Sequence, residues 1–259
     1  MRKYLWVMAA ALLPCFALAQ SAIDGKWKTD IKSISGSDKP SKYSVKDGMY
    51  ECESCVPQIK VKADGTDQLL EGNPYFDVFA VKLADEHTAE LVGRKAGRTV
   101  FLGKIKVSDD GKTMTREITT NEPGGLTNKS TSKMARVAPA PKGTTHGVSG
   151  SWKLAAVEKL TDDTVIFKTS GGVIAMNATD GSRYEAKLDG TKAPVKGSSG
   201  TDTVSVVMRD KNTFEEMSWL GGKLTLITTI AVSPDGKAAK VNWENKLNGA
   251  KGSYMMIRQ

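Results

Sequence analysis

Beyond its first two dozen residues the chain alternates apolar and polar positions in short runs. Phe79, Val81 and Leu83 take every second place in one run, and Val204, Val206 and Met208 do the same in another. No segment holds a helical period for more than one turn, whereas a period of two is the mark of a strand with one buried face. Strands are therefore predicted over residues 26–33, 42–46, 49–52, 58–62, 76–83, 88–94, 99–107, 113–119 and 130–137, with the same order following in the second half. Asp-Gly pairs at Asp47-Gly48, Asp64-Gly65, Asp110-Gly111, Asp180-Gly181, Asp189-Gly190 and Asp235-Gly236 separate the runs. Such pairs accept the positive φ angles of tight hairpins, so the strands form an antiparallel meander.

The meander occurs twice. Val61-Lys62-Ala63-Asp64-Gly65-Thr66 returns as Ala186-Lys187-Leu188-Asp189-Gly190-Thr191. Adding 125 also carries Gly25 and Trp27 onto Gly150 and Trp152, and Ser108, Asp110 and Gly111 onto Ser233, Asp235 and Gly236, without a gap. What the copies share is turn position and strand length, which is fold information. Where they agree at period two, the inward face can be assigned. Phe79, Val81, Phe101 and Ile105 face inward in the first copy, and Val204, Val206, Leu226, Ile230 and Trp243 in the second. Met114 and Ile118 continue the inward series of the first copy.

Eight or nine short strands per copy cannot leave both edges bare without inviting edge-to-edge pairing, so each copy is expected to close into a small barrel. The fold class is all-β, two antiparallel up-and-down barrels in tandem. The prolines of Ala138-Pro139-Ala140-Pro141 favour an extended segment with few ladder hydrogen bonds. This places a first barrel at residues 20–137, a linker at 138–147 and a second barrel at 148–259, each of ordinary single-domain size.

Residues 1–19 read as a secretory signal peptide: Arg2-Lys3, an apolar run from Leu5 to Leu18, and the small-residue pattern Ala17-Leu18-Ala19. The apolar run is shorter than the roughly 20 residues a spanning helix needs, so no membrane span is expected after cleavage. An outer-membrane barrel is disfavoured too, because its strands run to about 9 to 11 residues with an apolar outer band. Here the outward positions carry Lys, Asp and Thr. The expected location is periplasmic or secreted. The formal charge is +8 and falls by two, to +6, without Arg2 and Lys3. That balance would suit nucleic acid, but the lysines are spread among Asp, Thr and Ser, and export points away from such a partner.

Cleavage removes Cys15 and leaves Cys52 and Cys55 as the cysteines of an exported, oxidising chain. A local disulfide is the favoured reading of Cys52-Glu53-Ser54-Cys55. A redox role is the first alternative, although strand-like flanks lack the helix N-terminus that lowers a thiol pKa. A metal half-site is the second, although only His87 and His146 supply imidazoles. Covalent haem would need His where Val56 stands. No base recurs beside a nucleophile, since His87 corresponds to Asn212. The chain is therefore expected not to be an enzyme and to carry no cofactor or metal. Asp77 and Asp202 read as turn caps, with a carboxylate at each cavity mouth as the alternative, and Glu90 and Glu215 read as solvated strand residues, with inward placement to bind a cationic head group as the minority alternative.

Gly25-Lys26-Trp27 and Gly150-Ser151-Trp152 resemble the first-strand signature of the lipocalin and fatty-acid-binding-protein group, the calycin barrels. In that group an arginine of the last strand lies across the first-strand Trp and closes the barrel. The resemblance thus implies Arg136 over Trp27 and Arg258 over Trp152. More closely, the chain resembles bacterial exported proteins that carry two lipocalin-like domains in tandem. It departs from the group in having no helical lid after the first strand and no room for a helix after Arg258. Two functions follow as expectations. The first is non-catalytic binding of a small apolar or amphipathic ligand inside the barrels. The alternative is an envelope module with side-chain-filled barrels that meets a protein partner. A connected pocket above roughly 300 Å³ favours the first and a filled interior the second.

Overall fold

The structure, a computed structural model, describes residues 21–161 and 163–259, and the expected signal peptide at 1–19 lies outside them. The first half contributes β1 (Gly25–Asp30), β2 (Ser41–Lys46), β3 (Met49–Cys52), β4 (Ile59–Lys62), β5 (Gln68–Leu69), β6 (Val78–Leu83), β7 (Thr88–Lys95), β8 (Arg98–Val107), β9 (Thr113–Asn121) and β10 (Thr127–Ala138). The second contributes β11 (Gly150–Leu160), β12 (Thr164–Ser170), β13 (Val173–Ala178), β14 (Arg183–Lys187), β15 (Ala193–Pro194), β16 (Thr203–Met208), β17 (Thr213–Leu220), β18 (Lys223–Val232), β19 (Ala238–Asn245) and β20 (Lys251–Arg258). The fold is all-β, as two nearly closed antiparallel barrels of ten strands each. The count exceeds eight or nine partly because β5 and β15 have two residues apiece, too few to display a period.

The strand orders are β4-β3-β2-β11-β10-β9-β8-β7-β6-β5 and β14-β13-β12-β1-β20-β19-β18-β17-β16-β15. The two Gly-x-Trp strands have therefore changed places. β1 lies between β12 and β20, with Trp27 opposite Arg258, and β11 lies between β10 and β2, with Trp152 opposite Arg136. The first barrel is the continuous run β2 to β11, and the second is β12 to β20 completed by the N-terminal strand. The chain passes from one barrel to the other after β1 and again after β11.

This corrects the expected domain layout. The proline-bearing segment is no linker between barrels, because it joins β10 to β11 inside the first. It is folded over that barrel's end: Thr145 donates its N–H to Val45 O at 3.0 Å and Gly147 to Glu86 O at 2.9 Å. His146 is buried there. Its Nδ1 accepts from Val148 N–H at 3.2 Å, so its Nε2, 2.7 Å from Asp85 O, carries the proton.

The expected pairing of arginine with tryptophan is likewise exchanged. Arg136 lies 4.1 Å from the Trp152 ring centroid and Arg258 lies 4.3 Å from that of Trp27. Both indoles are fully buried, and their Nε1 atoms donate to Val148 O and Ile23 O at 2.9 and 2.7 Å. Arg136 donates to Gly111 O, Ser149 O and Gly147 O, and Arg258 donates to Gly236 O, Asp24 O and Ala22 O. Gly25 has φ +130°, and a Cβ there would stand 2.6 Å from the Arg258 guanidinium. The glycine of the motif thus leaves room for the arginine of the barrel it joins.

Each barrel has its own core. Trp152 and Val148 pack with Val81, Val107 and Met114, while Trp27 and Ile23 pack with Val204, Val206 and Phe214. The remaining seam is bridged at the repeated Asp-Gly turns, where Gly65 N–H donates to Val81 O at 2.8 Å and Gly190 N–H to Val206 O at 3.0 Å. The repeat is not gapless. Met134 opposes Met114 while Met256 opposes Ala239, so the last strands are offset by 122 residues where β9 and β19 are offset by 125.

Candidate functional site

Barrel interiors are the candidate site, and that of the first barrel is only partly filled. In the first barrel a cavity of about 380 Å³ is lined by Phe79, Phe101 and Ile105 of the expected set, together with Tyr43, Tyr50 and Arg116. Val81, also expected to face a ligand, is fully buried in the core beneath. Phe76, Phe79 and Phe101 form one aromatic group, with centroids 5.4 Å apart for Phe76 and Phe79 and 5.6 Å for Phe76 and Phe101. Phe76 and Phe101 also line a groove of about 520 Å³ outside the chamber. Lys95 and Arg98 stand at that groove, and Ser199 and Leu220 of the second barrel complete it.

Arg116 is the chemically distinctive residue of the chamber. It follows the inward Met114 at period two on β9, so the strand carries its side chain inside. One guanidinium nitrogen donates to Tyr43 Oη at 3.3 Å. Its Nε is buried and meets no acceptor among the described residues, nor does any carboxylate there form an ion pair with it. Arg116 is half-buried as a whole, but a buried donor such as its Nε normally has a partner, since an unmet one costs about 1 to 3 kcal/mol. Tyr50 beside it is pushed well above the usual phenol range, chiefly by burial and then by Tyr43, with Arg116 opposing.

In the second barrel Val204, Val206 and Ile230 are buried in the core, while Leu226 and Trp243 are inward and half-buried. In the repeat it is Glu215 that matches Glu90, whereas the interior residue is its neighbour Glu216. Glu215 faces out and pairs with Arg209. Glu216 faces in, and its Oε2 accepts from Tyr184 Oη at 2.5 Å. Burial raises the Glu216 carboxyl above the ordinary glutamate range, against hydrogen bonds from Tyr184 and Ser218 that act the other way. Burial, and secondarily Glu216, pushes Tyr254 up to about 12.

Asp77 and Asp202 cap turns, accepting from Ala96 N–H at 2.6 Å and Gly221 N–H at 2.7 Å. Cys52 and Cys55 have their sulfurs 2.05 Å apart, at disulfide distance, beside the first core. No cluster of His, Cys, Asp and Glu suited to a metal occurs among the described residues, and none of their helices is long and apolar enough to cross a membrane. The chain matches no protein-family profile, no curated protein and no solved structure.

Proposed function

We propose that the protein is an exported, non-catalytic binding protein whose first barrel holds a small amphipathic molecule with an acidic head. One observation carries this reading: a chamber of about 380 Å³, walled by Phe79, Phe101 and Ile105, that contains Arg116 without a carboxylate partner among the described residues. The volume lies in the range of small-ligand sites, and apolar walls with a few convergent polar groups are their usual composition. A carboxylate or similar anion would give Arg116 its missing acceptor through a charge-assisted bond. Export rests on residues 1–19, and the lipocalin-like reading rests on the two Gly-x-Trp strands and their arginines. The hollow chamber favours ligand binding over an envelope module with filled barrels.

Thermal shift tests the reading directly, using C8 to C12 carboxylates, the matching alcohols and aromatic acids. A ligand at 100 times its dissociation constant stabilises the native state by about 2.7 kcal/mol. Acids should raise the melting temperature of the native protein by several degrees and alcohols by less, and R116M should erase that difference. The reading is wrong if no compound shifts the transition and native mass spectrometry of protein purified from its host finds no retained molecule.

A further inference from the structure

The register between strands shows which residues of the two barrels occupy the same place. Leu91, Gly103 and Ile118 lie side by side on one rung of the first barrel. Leu91 and Ile118 line its cavity. The corresponding rung of the second barrel is Glu216, Thr228 and Trp243. On the neighbouring rung Arg116 lies opposite Ile105, and its counterpart Val241 lies opposite Ile230. On these rungs the interiors have thus diverged in charge, the first barrel carrying the cation Arg116 and the second the carboxylate Glu216.

We infer that the second barrel holds a separate site for the protonated amine of a small amphiphile, with Glu216 as its counter-ion. Among the described residues no Lys or Arg forms an ion pair with Glu216. Glu216, Thr228, Trp243 and Tyr254 occupy inward positions of β17 to β20 and are half-buried rather than sealed in the core. Gly252, opposite Trp243, lies against both the indole and the Gly36 carbonyl, and a Cβ there would collide with each. An ammonium group placed here would meet the carboxylate and aromatic faces together, the combination that recognises cationic head groups. It would also offset the desolvation that disfavours ionised Glu216.

The inference goes beyond the first-barrel reading and fails separately from it. Octylammonium and octanoate would each be titrated calorimetrically at neutral pH into the full chain, its E216Q and E216L forms, and R116M. E216Q keeps an acceptor for Tyr184, and E216L places on this rung the residue that Leu91 supplies in the other barrel. Octylammonium should bind wild type saturably, weaken at least tenfold in both Glu216 variants and be unchanged in R116M. Octanoate should show the reverse pattern. Loss of octanoate binding alone would overturn the first-barrel proposal and leave this one standing. Absence of saturable octylammonium binding to folded wild type, or equal binding by the folded Glu216 variants, would overturn the amine site and identify Glu216 as a structural acceptor for Tyr184.

Discussion

At the scale of single residues, the interior charges set the chemistry and were partly legible in the chain. Met114 and Ile118 already marked the inward face of their strand, so the cation between them at period two was in view. Its meaning was not, because a hollow and an empty acceptor position are properties of packing. Glu216 was hidden by an accident of the repeat, since the matched pair Glu90 and Glu215 belongs to the outer face. Its burial has a pH consequence. The folded-state pKa is raised above the ordinary glutamate value of about 4.3, so the folded state binds more protons than the unfolded state between those two values. The stability this contributes is complete below the unfolded pKa and is lost as pH rises through the folded one. The groups facing Glu216 are Tyr184, Ser218 and Tyr254, none of which ionises in the acidic range. Melting temperatures of wild type and E216Q measured across that range should therefore diverge with rising pH, wild type losing more. Parallel curves would mean that Glu216 titrates as it does in the unfolded chain.

At the scale of elements, the sequence disclosed strand positions, the inward face and the turns, but not the barrel to which each Gly-x-Trp strand belongs. The reason is physical. Hydrophobic period fixes which face of a strand is buried, and both barrels offer the same slot, between a first and a last strand and under an arginine. Only the connections that leave β1 and β11 decide. Residues beyond β1 continue along β20, with Ser35 N–H donating to Ser253 O and Asp38 N–H to Lys251 O. Lys28 lies directly opposite Ile257. Directly opposed residues of an antiparallel pair have Cα atoms about 4.5 to 5.5 Å apart, within disulfide reach. The pair K28C and I257C should therefore cross-link in oxidising conditions. The control K28C with A135C, the pairing of an unexchanged chain, should not. The opposite result would restore the barrels to contiguous halves. The indoles give a second check. Truncating either buried ring should cost about 3 to 5 kcal/mol, and hydrogen exchange should place the loss from W27A in β12 to β20 and that from W152A in β2 to β10.

At the scale of the whole molecule, the exchange makes the barrels unequal although their sequences repeat. Residues 41–160 contain every strand of the first barrel, the Cys52 and Cys55 pair and the Trp152 and Arg136 closure. The second barrel needs a strand from the other end of the chain. Without β1, β12 and β20 would lose their shared neighbour, and Arg258 would lose Trp27, Ala22 and Asp24. Deleting residues 21–40 should therefore leave the first barrel folded and open the second. Backbone amides of β6 to β9 should keep their slow exchange, while those of β12 and β20, whose ladders β1 completes, should exchange rapidly. A synthetic peptide covering residues 21–40 should restore protection in β12 and β20 when added in trans, because the slot it leaves has a ladder on each side. Replacing Trp27 by Ala in that peptide should abolish the rescue, since the ring is what the core of the second barrel closes upon. Loss of protection in both barrels on deletion would show that they fold as one cooperative unit. Unchanged protection in β12 and β20 would show that β1 is dispensable to the barrel it completes.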